Sequence, residues 1–179
     1  MNGDFNIRKE TRLSDWTAIK YGLYLAPLEA VFLIGMVVTL CATARAATDL
    51  TLAPNLSFTD DSSPHFPIEA SNIADASIAH GRPMVIFFGT SNCWNTAREA
   101  ERLVRLYPEY RDRVHFVVVD LRHASPAQRR LADLYYPGYI PTLAIFDKSA
   151  RLVYDRAGET AVKRADTAHL QQLIDSALR

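Results

Sequence analysis

A single cysteine carries the chemistry that this chain can offer. In "FFGTSNCWNTARE", Phe87–Glu99, Cys93 follows an apolar run and precedes a stretch with helical periodicity, and Thr96 lies three residues further on. A thiolate is the reactive form of cysteine, and the free N–H groups and macrodipole at a helix start favour it. A hydroxyl at the fourth position of that start is one turn away, within reach of the sulfur as a donor. Such a thiolate attacks disulfides to form mixed disulfides. The other cysteine, Cys41, lies in the apolar segment described below, so Cys93 has no internal partner. Without a second thiol the chain can exchange but cannot complete a dithiol cycle.

The elements around Cys93 are those that would hold it at a strand-to-helix junction. "PMVIFFG" is a continuous apolar run, as in a buried strand of a parallel or mixed sheet. From Trp94 to Leu106, the residues Ala97, Ala100, Leu103, Val104 and Leu106 form one helical face, with Arg98, Glu101, Arg102 and Arg105 on a solvated one. "VHFVVVD", Val114–Asp120, is a second buried strand. "SPAQRRLADLY" is a helix with Ser125 as N-cap and Pro126 in its first turn. "TLAIFD" and "RLVYDRAG" form a hairpin across Lys148–Ala150. Asp166 caps a last helix with Leu170, Leu173, Ile174 and Leu178 as its stripe. Upstream, "ASNIADASIAHG" reads as a short helix ending at Gly81. The order αβαβα then ββα predicts an α/β domain, a mixed central sheet with helices on both faces.

Two segments of this order, together and at this spacing, resemble the thioredoxin-like superfamily. "RPMVIFFGTSNCWNTARE" is similar to the family's strand, loop and W-C-x-x-C helix start. "YYPGYIPTLAIFDKSARLVYDRAGE" is similar to its second signature, with Ile140-Pro141 at the cis-proline position, 48 residues after Cys93 (141 − 93). The resemblance covers about residues 70–179 and implies a thioredoxin-like fold. It also implies a catalytic group of Cys93, Thr96 and Pro141, with the proline closing one wall of the site. Trp94, Ile140 and Tyr139 would contact a peptide substrate, with Tyr135 and Tyr136 either adding to that lip or packing in the core. Three departures shape the chemistry: Asn92 replaces the usual tryptophan, Thr96 replaces the second cysteine, and Phe87 replaces the buried aspartate that serves the second thiol. The expected function is therefore isomerase or monothiol-type exchange, and the alternative is a redox-inert binding or assembly module. Peroxiredoxins share the T-x-x-C of Thr90–Cys93 but have proline where Ile86 stands, and the C-G-F-S of cluster-binding glutaredoxins is not matched.

The N-terminal region sets the compartment. The uncharged core Val31–Ala42 fits the roughly 7–15 apolar residues of a secretory signal and falls short of the about 20 that span a bilayer. Ala44-Arg45-Ala46 has small residues where cleavage requires them. Residues 1–46 are thus a signal peptide or, if the apolar run extends back to Tyr21, a membrane anchor. Either places the rest in the periplasm, outside the inner membrane, or in the medium. Residues 47–69, with Pro54, Pro64 and Pro67, read as a linker before a domain at 70–179.

With Lys and Arg balancing Asp and Glu at 20 each, no basic face for nucleic acid is expected. The five histidines are scattered and are read as surface or packing residues, so neither a metal nor a cofactor is expected. The partners implied are protein thiols and disulfides or a small thiol, with membrane contact by the N-terminal segment during export.

Overall fold

A computed structural model describes residues 49–155, 162 and 165–179. The signal or anchor reading of residues 1–46 lies outside the described residues. Residues 46–179 form one compact unit of the chain.

Six strands and three helices are found among the described residues: β1 (Leu50–Leu52), β2 (Ile68–Ala70), β3 (Met84–Gly89), α1 (Trp94–Tyr110), β4 (His115–Asp120), α2 (Pro126–Tyr135), β5 (Thr142–Phe146), β6 (Leu152–Asp155) and α3 (Thr167–Ala177). The main sheet has the order β4-β3-β5-β6. β3 runs parallel to β4 and antiparallel to β5, and β5 is antiparallel to β6.

Every residue of β3 and β5 is buried, which is why both read as unbroken apolar runs. Alternate side chains feed two cores. Val85, Phe87, Val118, Leu143 and Ile145 pack under α1 and α3, together with Leu103, Tyr110, Leu170 and Ile174. Met84, Ile86, Phe88, Val119, Ala144 and Phe146 pack with Leu131 of α2 on the other face. Helices cover both faces, as the element order implied.

Two expectations are corrected. The supposed linker is part of the domain: β1 pairs antiparallel with β2, joining Leu50 to Ala70, and Leu50 and Ile68 are buried beneath α1. Its prolines shape the connection between two paired strands. The short helix expected near residues 70–81 is instead the end of β2 followed by turns. Asp75 N–H donates to the Asn72 carbonyl, and the Asp75 side chain accepts from Ser77 N–H at 2.8 Å. Short polar side chains bonding nearby backbone compete with a helix in this way.

α1 also runs four residues past the expected end at Leu106. Tyr107 and Tyr110 are buried and continue its inner stripe, with Tyr107 edge-on to Phe116 at 5.3 Å.

Candidate functional site

β3 delivers the chain to Cys93. After Gly89 a short loop passes through Asn92, whose φ of +55° is the left-handed conformation that asparagine tolerates better than most residues. Cys93 is the N-cap of α1, extended at φ −147° and ψ 107°, and its side chain makes no cap hydrogen bond. The residue is half-buried and, among the described residues, has no cysteine partner.

The register brings the second predicted element to the same end of the sheet. Phe88 pairs with Thr142, so Pro141 lies just beyond the pair, where β3 ends. The Ile140-Pro141 peptide is cis. Pro141 is buried, Ile140 is half-buried and Tyr139 is 62% exposed, with its carbonyl accepting from Thr142 Oγ1 at 2.5 Å. Gly89 pairs with Asp120, which places the end of β4 there too.

Thr96 departs from its expected role. It is fully buried, and its Oγ1 has no hydrogen-bond partner, so the hydroxyl is not bonded to the sulfur. Its methyl faces Gly89 instead. A Cβ on Gly89 would overlap Thr96 Cγ2 and come within 3.2 Å of the Phe87 ring. Phe87 is completely buried among the apolar residues beneath α1, 6.1 Å from the ring of Phe66. The start of α1 is thus seated by shape, against Gly89 and the Phe87 ring.

The remaining residues separate into contact and packing roles. Trp94 is half-buried, and the Arg98 guanidinium lies 4.6 Å above its ring while Arg98 Nε donates to the Phe58 carbonyl at 2.7 Å. Those contacts hold Arg98 beside Trp94 and the preceding loop. Tyr135 and Tyr136 are packing residues: Tyr135 is edge-on to Phe146 at 4.9 Å and Tyr136 lies 5.9 Å from Phe88. Burial pushes the Tyr136 hydroxyl pKa above its ordinary value.

Arg102 does not belong to a solvated face. It is 9% exposed and pairs at 2.7 Å with Glu99, itself 1% exposed. Thr96, Glu99 and Arg102 fall three residues apart, a polar row buried along one side of α1. Reading α1 for its apolar residues alone missed this row, although the i, i+3 spacing of the pair was visible.

Sequence reasoning also missed Asp61. Its Oδ1 accepts a 2.9 Å hydrogen bond from the backbone N–H of Trp94, the residue after the cysteine. Nothing local signals this, because the two residues are 33 positions apart.

A parallel pair β3–β4, antiparallel β5 and β6, helices α1 and α3 on one face and α2 on the other, and a cysteine heading α1 define the architecture. The fold is thioredoxin-like. The domain is similar to mitochondrial thioredoxin 3 from Saccharomyces cerevisiae, at 21% identity over 54% of this chain and 79% of that one, with a TM-score of 0.42. Fasciola hepatica thioredoxin is similar at 22% identity over 55% and 83% of the two chains, with a TM-score of 0.44. A malarial protein is similar at 18% identity over 55% of this chain and 99% of its own, with a TM-score of 0.43. Each is a likeness of fold. No protein-family model matches the chain, and no curated protein does.

Proposed function

We propose that this thioredoxin-like domain carries out thiol–disulfide exchange outside the cytoplasm, with Cys93 as its single nucleophile. The observation that carries the proposal is the placement of Cys93. It is the N-cap of α1 and partly exposed, its side chain makes no cap bond, and it sits at the sheet end that also holds Pro141.

The Cys93 thiolate attacks one sulfur of a substrate disulfide. A mixed disulfide forms, and the departing substrate sulfur leaves as a thiolate that takes up a proton. A second thiol, from the substrate or from a small molecule, then attacks the mixed disulfide and frees Cys93. The two exchanges produce no net oxidation or reduction, which makes the chemistry isomerisation or monothiol transfer. Thr96 cannot replace the second thiol, since a hydroxyl does not resolve a mixed disulfide. Trp94, Tyr139 and Ile140 supply the surface beside the sulfur for an extended peptide.

Restoring the missing thiol tests the reading. Thr96→Cys puts a second sulfur one turn after Cys93 and should confer dithiol-dependent reduction of insulin, while the parent accumulates long-lived mixed disulfides. Cys93→Ala in either background should abolish both behaviours. The variant gains only partial activity if proton transfer at position 96 is slow beside Phe87. A parent that never forms a mixed disulfide with an accessible disulfide peptide would sink the proposal.

A second reading, a redox-inert binding module, is favoured by one observation: a carboxylate already occupies the N–H of Trp94. Under that reading Cys93→Ala leaves partner binding intact and the parent thiol alkylates slowly at every pH. The export component rests on Val31–Ala42 and Ala44-Arg45-Ala46. It is tested by the intact mass of the protein from a periplasmic or culture fraction, expected to begin at Ala47.

A further inference from the structure

The connection between β1 and β2 reaches the start of α1 through three hydrogen bonds. Asp61 Oδ1 accepts from Trp94 N–H at 2.9 Å, the Ser63 carbonyl accepts from Asn92 N–H at 3.2 Å, and the Phe58 carbonyl accepts from Arg98 Nε at 2.7 Å. The residues immediately before and after Cys93 are both held by this loop.

The loop is also closed on itself. Ser63 is 2% exposed, its Oγ accepting from Ser57 N–H at 2.8 Å and donating to the Ser57 carbonyl at 3.3 Å. Asp60 accepts from both the N–H and the hydroxyl of Ser62, and its pKa is held below the ordinary carboxylate value by hydrogen bonds from Ser62 and Ser57. Of two adjacent carboxylates, one therefore turns into the loop and the other onto the helix.

We propose that Asp61 is a positioning residue that restrains Cys93, occupying the helix-start N–H beside it until the loop is displaced. The inference rests on the exchange reading above. A helix start stabilises an anion through its unpaired N–H groups and its dipole. The Asp61 carboxylate and a Cys93 thiolate compete for that stabilisation, and as like charges on neighbouring positions they oppose each other. The fully buried Thr96 Oγ1 gives independent support, since it has no hydrogen-bond partner as the site stands. An unmet buried hydroxyl one turn from the cysteine is suited to donating to sulfur once a thiolate forms and turns inward. The resting arrangement thus has the N–H after Cys93 taken by Asp61 and a hydroxyl one turn on still without a partner.

Other charged groups at this end do not substitute for Asp61. Arg98, on α1, is held by the Phe58 carbonyl and the Trp94 ring. Asp120, at the end of β4, is paired with His123 at 2.8 Å. Residues 136–141, leading into β5, carry no Asp, Glu, His, Lys or Arg, and their titratable groups are the phenols of Tyr136 and Tyr139. Asp60, in the same loop, is bonded to Ser62.

The test is iodoacetamide alkylation of the full chain across a range of pH, followed by mass at the peptide containing Cys93 so that Cys41 does not interfere. Asp61→Asn keeps an acceptor for Trp94 N–H and removes the charge. It should raise the alkylation rate at neutral pH roughly two- to fivefold and move the rate–pH profile toward lower pH. Asp61→Glu keeps the charge and should stay close to the parent. In the parent, added salt should raise the neutral-pH rate by screening the carboxylate, a measurement that needs no variant.

An Asp61→Asn profile that rises equally at every pH, without moving, would mean that the loop merely shields the thiol, and would overturn the proposal. So would no change in rate with either substitution or salt. Exchange with disulfide peptides, measured alongside, keeps the two readings apart. A shifted profile without exchange leaves Asp61 in its role and removes the exchange reading; exchange without a shift does the reverse.

Discussion

The starts of α1 and α2 solve one physical problem in opposite ways. Every α-helix begins with N–H groups that have no partner within the helix. At α2 the solution is local: Ser125 Oγ accepts from Gln128 N–H at 3.2 Å, Gln128 Oε1 accepts from Ser125 N–H at 2.9 Å, and Pro126 occupies the first turn. At α1 the N-cap is a cysteine whose side chain bonds nothing, and the first N–H is met by Asp61 from the β1–β2 connection. A start closed by its own residues is structural. A start left open at its own N-cap and closed from elsewhere depends on a contact that only the fold supplies.

Substitutions at the two starts should therefore separate stability from reactivity. The largest effect is at Gly89, which seats α1. Gly89→Ala forces a Cβ into Thr96 Cγ2 and should cost about 1–3 kcal/mol in chemical denaturation. Thr96→Ala, which removes that methyl, should recover much of the loss in the double variant, so the two changes should be clearly non-additive. Equal losses in the single and double variants would show that α1 is not seated on Gly89.

Next is Ser125→Ala, which breaks the capping box of α2 and should cost about 1 kcal/mol. It should leave the alkylation profile of Cys93 unchanged. A shifted profile would mean that the two starts are coupled and would break the comparison.

An effect of similar size at neutral pH, and the most informative in alkali, belongs to the far end of α1. Tyr110 Oη donates to Asp175 Oδ1 of α3 at 2.8 Å. Burial first, and then the bond to Asp175, push the tyrosine pKa up to about 12 from 10.0. The folded state therefore holds this proton more tightly than the unfolded chain. The contribution is complete below the unfolded value and is lost as pH rises through the window between 10.0 and about 12. Tyr110→Phe should destabilise by about 1 kcal/mol at neutral pH and flatten the alkaline fall in stability over that window. An alkaline limb identical to the parent's would rule out Tyr110 as its source.

How much of this was legible in the sequence follows from the range of each interaction. Buried strands announce themselves by composition, so β3, β4 and β5 were placed to within a residue or two. The Ser125 cap, the Asp166 cap, whose carboxylate accepts from His169 N–H at 3.0 Å, and the hairpin turn at Asp147–Ala150 are contacts between near neighbours and could be read directly. The position of Cys93 at the head of α1 followed from an apolar run ending and a helical period beginning.

Long-range partners were not legible. Residues 47–69 have the prolines and polar residues of a linker, and only the pairing of β1 with β2 makes strands of Leu50–Leu52 and Ile68–Glu69. Arg102 and Glu99 have the composition of a solvated face, and only packing buries them. Thr96 lies at the right spacing to reach the sulfur, yet side-chain packing against Gly89 leaves its hydroxyl without that bond. By itself the sequence determined where the thiol stands and that Thr96 takes the place of a second cysteine one turn on, because helix starts, strand periods and short motifs are local properties. The tertiary structure alone decided that a carboxylate from another part of the chain meets the N–H beside that thiol, because a hydrogen bond across 33 residues depends on the fold that brings its ends together.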